Sequence, residues 1–146
     1  MLGELLLVTS ILLSAADVQP DSVPDRPFDV VVNRSNPLSS LTRAELSAIF
    51  MKKIRSWPDR SEVLPVDQAL TSRVRELFSR SIHGKSVAYV TRYWHRLIFA
   101  GRDIPPRQVD SNAAVIDFVK ANRGAIGYVD TGTPLVSDVK VIAVTP

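Results

Sequence analysis

The sequence predicts an α/β protein, a three-layer sandwich around a central, mostly parallel sheet. Three observations point there. Apolar, β-rich runs (FDVVVN, EVLPVDQ, AIGYVD and VKVIAVTP) alternate with stretches of helical periodicity. The resulting order, β-α-β-α-α-α-β-β, separates the early strands by helices, as parallel pairing requires. The first strand is apolar at nearly every position, as expected of a strand covered on both faces. At 146 residues, with 45% hydrophobic and 23% charged, the chain suits one globular domain and is not disordered as a whole.

Each element has its own signal. After the strand Phe28 to Asn33, SNPLSSL reads as a turn-forming link. Thr42 and Glu45 then match a capping box, with Leu41 and Leu46 placed as a hydrophobic staple. Leu46, Ile49 and Phe50 form that helix's core stripe, and it runs out in the cation-rich MKKIRSWPDR. In EVLPVDQ, Pro65 suggests an edge strand or an early end. The helix of TSRVRELFSRSI aligns Val74, Leu77, Phe78 and Ile82, with Gly84 as its left-handed stop. SVAYVTRYWHRLIF aligns Val87, Val90, Trp94, Leu97 and Ile98 before Gly101. RDIPPRQVD reads as a loop. Ser111 caps a helix with Val115, Phe118 and Val119 inward, stopped by Gly124. AIGYVD and VKVIAVTP close the chain around the turn TGTPLVSD. There is no internal repeat and no heptad run.

The N-terminus has a different composition. LLLVTSILLSAA, from Leu5 to Ala16, is almost wholly apolar and a Pro-rich polar stretch follows. The run is shorter than the roughly 20 residues a membrane-spanning helix needs, and it has the length of a signal-peptide core. Ser14, Ala15 and Ala16 are the small residues a signal peptidase reads, although the segment before the run holds Glu4 and no cation. Residues 1–16 therefore read as a signal peptide, 17–27 as a polar linker and 28–146 as the α/β domain. The expected location is exported and periplasmic, with no membrane span. An N-terminal core element is the alternative, and the Pro-rich break opposes it.

Composition removes several function classes. No cysteine means no disulfide, no thiolate chemistry and no Cys-based zinc site. The two histidines, His83 and His95, lie in no metal-ligand spacing, and no nucleophile elbow, P-loop or dinucleotide fingerprint occurs. No enzyme activity, metal or cofactor is expected. TRYWHR (Thr91 to Arg96) mixes basic and aromatic residues as a nucleic-acid surface would. At helical spacing, however, Trp94 falls on the core stripe and the arginines on a solvated face, and a formal charge of +3 is far from a nucleic-acid arm. No nucleic-acid partner is expected.

What remains is the strand-to-helix junction in VLPVDQALTSRVREL. A helix start offers free N–H groups and partial positive charge. Thr71 and Ser72 supply hydroxyls, and Arg73, Arg75 and Arg43 could add charge. Against this, no glycine lets a ligand approach closely, Asp67 stands where a cation would help, and most capped helices bind nothing.

The chain also resembles a known family. VVNRSNPLSSLTRAELSAIFMKKIRSWPD is similar to the second-lobe segment of phosphate ABC transporter substrate-binding proteins, of the periplasmic-binding-protein type II fold. That family's phrase IFxGKIxxW falls on Ile49 to Trp57, with Lys52 in place of the glycine. GAIGYV (Gly124 to Val129) matches the family's strand after its last helix. The resemblance implies a non-enzymatic binder of phosphate or a related oxyanion, accessory to transport or sensing. It implies one lobe where the family has two, so that a second copy or another protein would supply the missing face. In the family an arginine ends the strand and Ser-Gly-Thr opens the helix. Aligned on Ser72, the arginine falls on Gln68, and the glycine and threonine on Arg73 and Val74. Together with the helix-start reading, this gives the candidate anion-binding set Gln68, Thr71, Ser72 and Arg73. The alternative function is a degenerate lobe kept as a protein-interaction module in the cell envelope.

Overall fold

A computed structural model describes residues 27–146. The signal-peptide reading, and the linker reading up to residue 26, lie outside the described residues. Six strands form one sheet: β1 (Phe28–Asn33), β2 (Ser40–Thr42), β3 (Leu64–Gln68), β4 (Arg107–Val109), β5 (Ala125–Asp130) and β6 (Val139–Thr145). The helices are α1 (Arg43–Phe50), α2 (Arg73–Phe78), α3 (Val87–Phe99) and α4 (Asn112–Ala121), and a π-helical turn, Ser79–His83, continues α2.

The strand order is β2-β6-β1-β5-β3-β4. The sheet is mixed. Three of its five pairings are parallel (β2 with β6, β3 with β4, β3 with β5), while β1 runs against both its neighbours, β5 and β6. Two elements were not expected from the sequence. Ser40–Thr42 and Arg107–Val109 sit in stretches that read as a link and a loop, yet each pairs as a three-residue strand. Strands this short have no periodicity of their own, and the neighbouring strand imposes them.

β1 is buried along nearly its whole length because both faces of the sheet are covered. On one face Val30 and Val32 join Ile126, Tyr128 and Ile142 in a cluster with Leu46, Phe50 and Phe78, from α1 and α2. On the other, Val31, Val66 and Val129 meet Val115, Ile116 and Val119 of α4. This makes three layers. Gly127 permits the second contact, since a Cβ there would lie 2.6 Å from Val115 Cγ1 and 2.8 Å from Val66 Cγ1.

Helix starts follow the local signals. Thr42 and Glu45 form the reciprocal capping box, with Glu45 N–H donating to Thr42 Oγ1 at 3.1 Å and Thr42 N–H to Glu45 Oε2 at 2.8 Å. Ser72, Ser86 and Ser111 cap α2, α3 and α4. Gly84 ends the π turn in the left-handed region at φ 63°. The end of α1 differs from expectation. The helix stops at Phe50, so Lys52 and Lys53 lie beyond it, and Lys52 itself takes φ 55°. Pro65 is not on an edge strand, because β3 lies between β5 and β4. It is tolerated because β4 pairs only from Val66 onward, leaving no ladder on that side of Pro65.

α3 differs most from its sequence pattern. Of the stripe Val87, Val90, Trp94, Leu97 and Ile98, only Val90 and Trp94 are buried. Among the described residues no helix is long and apolar enough to cross a membrane.

Candidate functional site

β3, β4 and β5 are mutually parallel neighbours, so their C-terminal ends meet at one edge of the sheet. That edge brings together Gln68, the start of α2 at Ser72, the start of α4 at Ser111 and Asn112, and Asp130. Carboxyl ends of parallel strands are where α/β sheets take ligands, because helix starts and their N–H groups converge there.

Gln68 ends β3 with its side chain directed inward and is only 3% exposed. Its Nε2 donates to Asn112 Oδ1 at 2.9 Å and to the Tyr128 carbonyl at 3.0 Å. Both amide hydrogens are therefore engaged within the protein. Its Oε1 accepts from Ser72 Oγ at 3.2 Å, and Ser72 Oγ in turn accepts a long bond from Arg75 N–H at 3.4 Å. Asn112 Nδ2 extends the network to Asp130 Oδ2 at 2.7 Å.

Beneath this lies a buried ion pair. Arg75 Nη2 is 3.1 Å from Asp67 Oδ2, and Arg75 Nη1 donates to the Gln68 carbonyl at 2.6 Å. Asp67 also accepts from the Tyr128 hydroxyl and from the Gln68 backbone N–H. Burial pushes the Asp67 carboxyl above its usual range, against the pull of Arg75, the Tyr128 hydroxyl and the Gln68 N–H. Burial and the neighbouring Asp67 carboxylate raise the Tyr128 phenol, which stays protonated and donates. The Tyr128 ring stacks on Phe78 with centroids 3.9 Å apart, and Phe28 and Phe50 pack around them. His83 meets Phe78 edge-on and its Nδ1 lies 2.8 Å from Ser47 Oγ. Its burial and the nearby Arg75 charge lower its pKa to about 4.

The sequence-derived set separates into two pairs. Gln68 and Ser72 are hydrogen-bonded to each other, while Thr71 and Arg73 are exposed at the surface above them. By its position in the first turn of α2, Arg73 leaves its backbone N–H without an intrahelical partner, as does Val74. Arg75, one of the cations considered for a ligand, points inward to Asp67 instead. Asn112, Tyr128 and Asp130 belong to the junction and were not anticipated. The one legible signal was Asp67, a carboxylate inside an apolar strand, which requires a cation. Among the described residues no group of three or more His, Asp or Glu is placed to hold a metal ion.

Comparison with known proteins places this arrangement. The model for the PBP superfamily domain matches residues 22–144. No curated protein matches the sequence. Among solved structures, an ABC-type phosphate transport receptor from Vibrio cholerae is similar at TM-score 0.64 and 23% identity, over 81% of this chain and 46% of that one. A candidate phosphate ABC transporter substrate-binding protein from Clostridium perfringens, solved with bound phosphate, is similar at TM-score 0.64 and 19% identity, over 81% and 44%. PstS from Borrelia burgdorferi follows at TM-score 0.57 and 13% identity, over 81% and 47%. The chain thus spans less than half the length of each, and at these identities the likeness is one of fold.

Proposed function

Since the chain belongs to the PBP superfamily, we propose that it is an exported, non-enzymatic binding lobe that makes a weak contact with phosphate or a related oxyanion at the β3–α2 junction. Such a lobe would serve as an accessory to phosphate transport or sensing. The observation that supports this is the position of Ser72, at a helix start on the carboxyl edge of three parallel strands. The solved structures of similar fold include a phosphate transport receptor and a substrate-binding protein with bound phosphate.

The ligand contacts would come from the exposed Thr71 hydroxyl, the Arg73 guanidinium, the first-turn N–H groups and the Ser72 hydroxyl. Ser72 must exchange its bond to Gln68 for one to the ligand. Gln68 has no free amide hydrogen, so it acts as the floor that positions Ser72. Half a clamp, open to water, binds weakly. The test is titration calorimetry of the purified protein with phosphate. The expected result is millimolar affinity, weakened about fivefold by Ser72→Ala, as befits one hydrogen bond of about 1 kcal/mol. Absence of heat and of any thermal shift at millimolar phosphate would overturn the reading.

A second reading is favoured by the closure of the network. With the Gln68 amide engaged and Arg75 neutralised by Asp67, the lobe stands complete without an anion. It would then be a protein-interaction module of the cell envelope. This reading expects a silent phosphate titration together with a stable dimer or a co-purifying partner.

A further inference from the structure

α3 is attached lightly. Val90 and Trp94 are its buried residues, and the helix contacts the rest of the described structure mainly through the π turn. Its outward face carries Arg92, Arg96 and Phe99 at i, i+4 and i+7, all exposed. Phe99 is 89% exposed and its neighbour Ile98 45%, and in the loop after the helix Ile104 is 66% exposed. Single exposed apolar residues are ordinary. Ile98 and Phe99 are neighbours in sequence and both exposed at the end of one helix, and paired exposed apolar residues of this kind mark interaction sites.

The segment that carries these residues is rich in cations. Residues 85–107 hold five cations (Lys85, Arg92, Arg96, Arg102 and Arg107) against one acid, Asp103, although the whole chain carries only +3. Asp103 is itself paired with Arg55. Lys85 sits 4.9 Å over the Tyr89 ring on the same helix.

We propose that this face docks the protein on an anionic lipid bilayer, with Phe99, Ile98 and Ile104 entering the headgroup boundary and Arg92, Arg96 and Arg102 held among the lipid phosphates. The complementarity is twofold. Exposed apolar residues flanked along the chain by exposed arginines match an interface that is apolar below and negative above. Nucleic acid would match the cations and leave the two isoleucines in water. The inference is independent of the oxyanion reading, because α3 shares no residue with the β3–α2 junction.

The experiment is co-sedimentation of the full chain with vesicles of phosphatidylcholine alone and of phosphatidylcholine with about 30% phosphatidylglycerol. The apolar N-terminal run is common to every variant, so the variants differ only at α3. The expected result is at least about fivefold more protein on the anionic vesicles, with the excess abolished by high salt. Arg92→Gln with Arg96→Gln, and separately Phe99→Ser, should each remove most of that excess without changing circular dichroism, since all three side chains are exposed. Phe99→Trp should show a blue-shifted emission component on anionic vesicles only. No excess over neutral vesicles overturns the proposal, as does an excess that these substitutions leave intact. Binding to polyglutamate without binding to anionic vesicles would assign the face to acidic proteins and also overturn it.

Discussion

Asp67 and Arg75 set the character of the junction. A buried ion pair adds little when intact, but removing one partner strands a charge in a low-dielectric interior. Arg75→Met is therefore expected to cost about 3–5 kcal/mol by urea denaturation. Asp67→Asn added to it should recover part of that loss, because the Tyr128 hydroxyl and the Gln68 N–H still have an oxygen to donate to. A cost below about 1 kcal/mol for the single change would show that the pair does not hold the junction. His83 gives a second expectation, in pH. Its pKa is lowered to about 4 in the fold, while the unfolded chain titrates near 6.5. The unfolded state thus takes up a proton first on acidification. The stability that neutral His83 contributes is complete above the unfolded pKa and is lost as pH falls toward 4, to a limit of about 3 kcal/mol. Asp67, raised by burial, works in the opposite direction, but it does so in every variant that retains it. His83→Asn should accordingly flatten the acid limb of the stability profile, and an unchanged slope would remove His83 from the account.

At the scale of elements, the segment after α1 shows how a family phrase and a local strain meet. The resemblance places a glycine at position 52, and the structure puts Lys52 at φ 55°, where a side chain is strained. Lys52→Gly is expected to raise stability by about 0.5–1 kcal/mol in urea denaturation, and a loss of stability would mean that the Lys52 side chain offsets its backbone cost. The helix starts were legible because a capping box is a contact among three or four consecutive positions, as Thr42 and Glu45 show. The short strands β2 and β4 were not, because three residues carry no period and owe their conformation to β6 and β3. The helical period of α3 was legible, but that Leu97 and Ile98 stay unburied was not. Periodicity states which residues share a face and is silent on whether anything packs against it.

At the scale of the whole molecule, the strands at the centre of the sheet carry the packing on both faces, while α3 hangs from the π turn. Native-state hydrogen exchange should therefore find the slowest amides in β1 and β5 and much faster local opening in α3. Equal protection of α3 and β1 would contradict this hierarchy. The sequence by itself determined the α/β class, the order of the long elements, the Thr42–Glu45 capping box and a helix start at Thr71 or Ser72, because each depends on neighbours within a turn or a pleat. Only the tertiary structure decided that β1 runs against β5 and β6, that Gln68 faces inward to Asn112 and Tyr128, and that Arg75 serves Asp67 rather than the surface. The strand pairings and the Gln68 contacts join residues 44 to 112 positions apart, while Asp67 and Arg75 are eight apart. These outcomes rest on which buried polar groups find partners once the sheet has closed, and no local spacing encodes that choice.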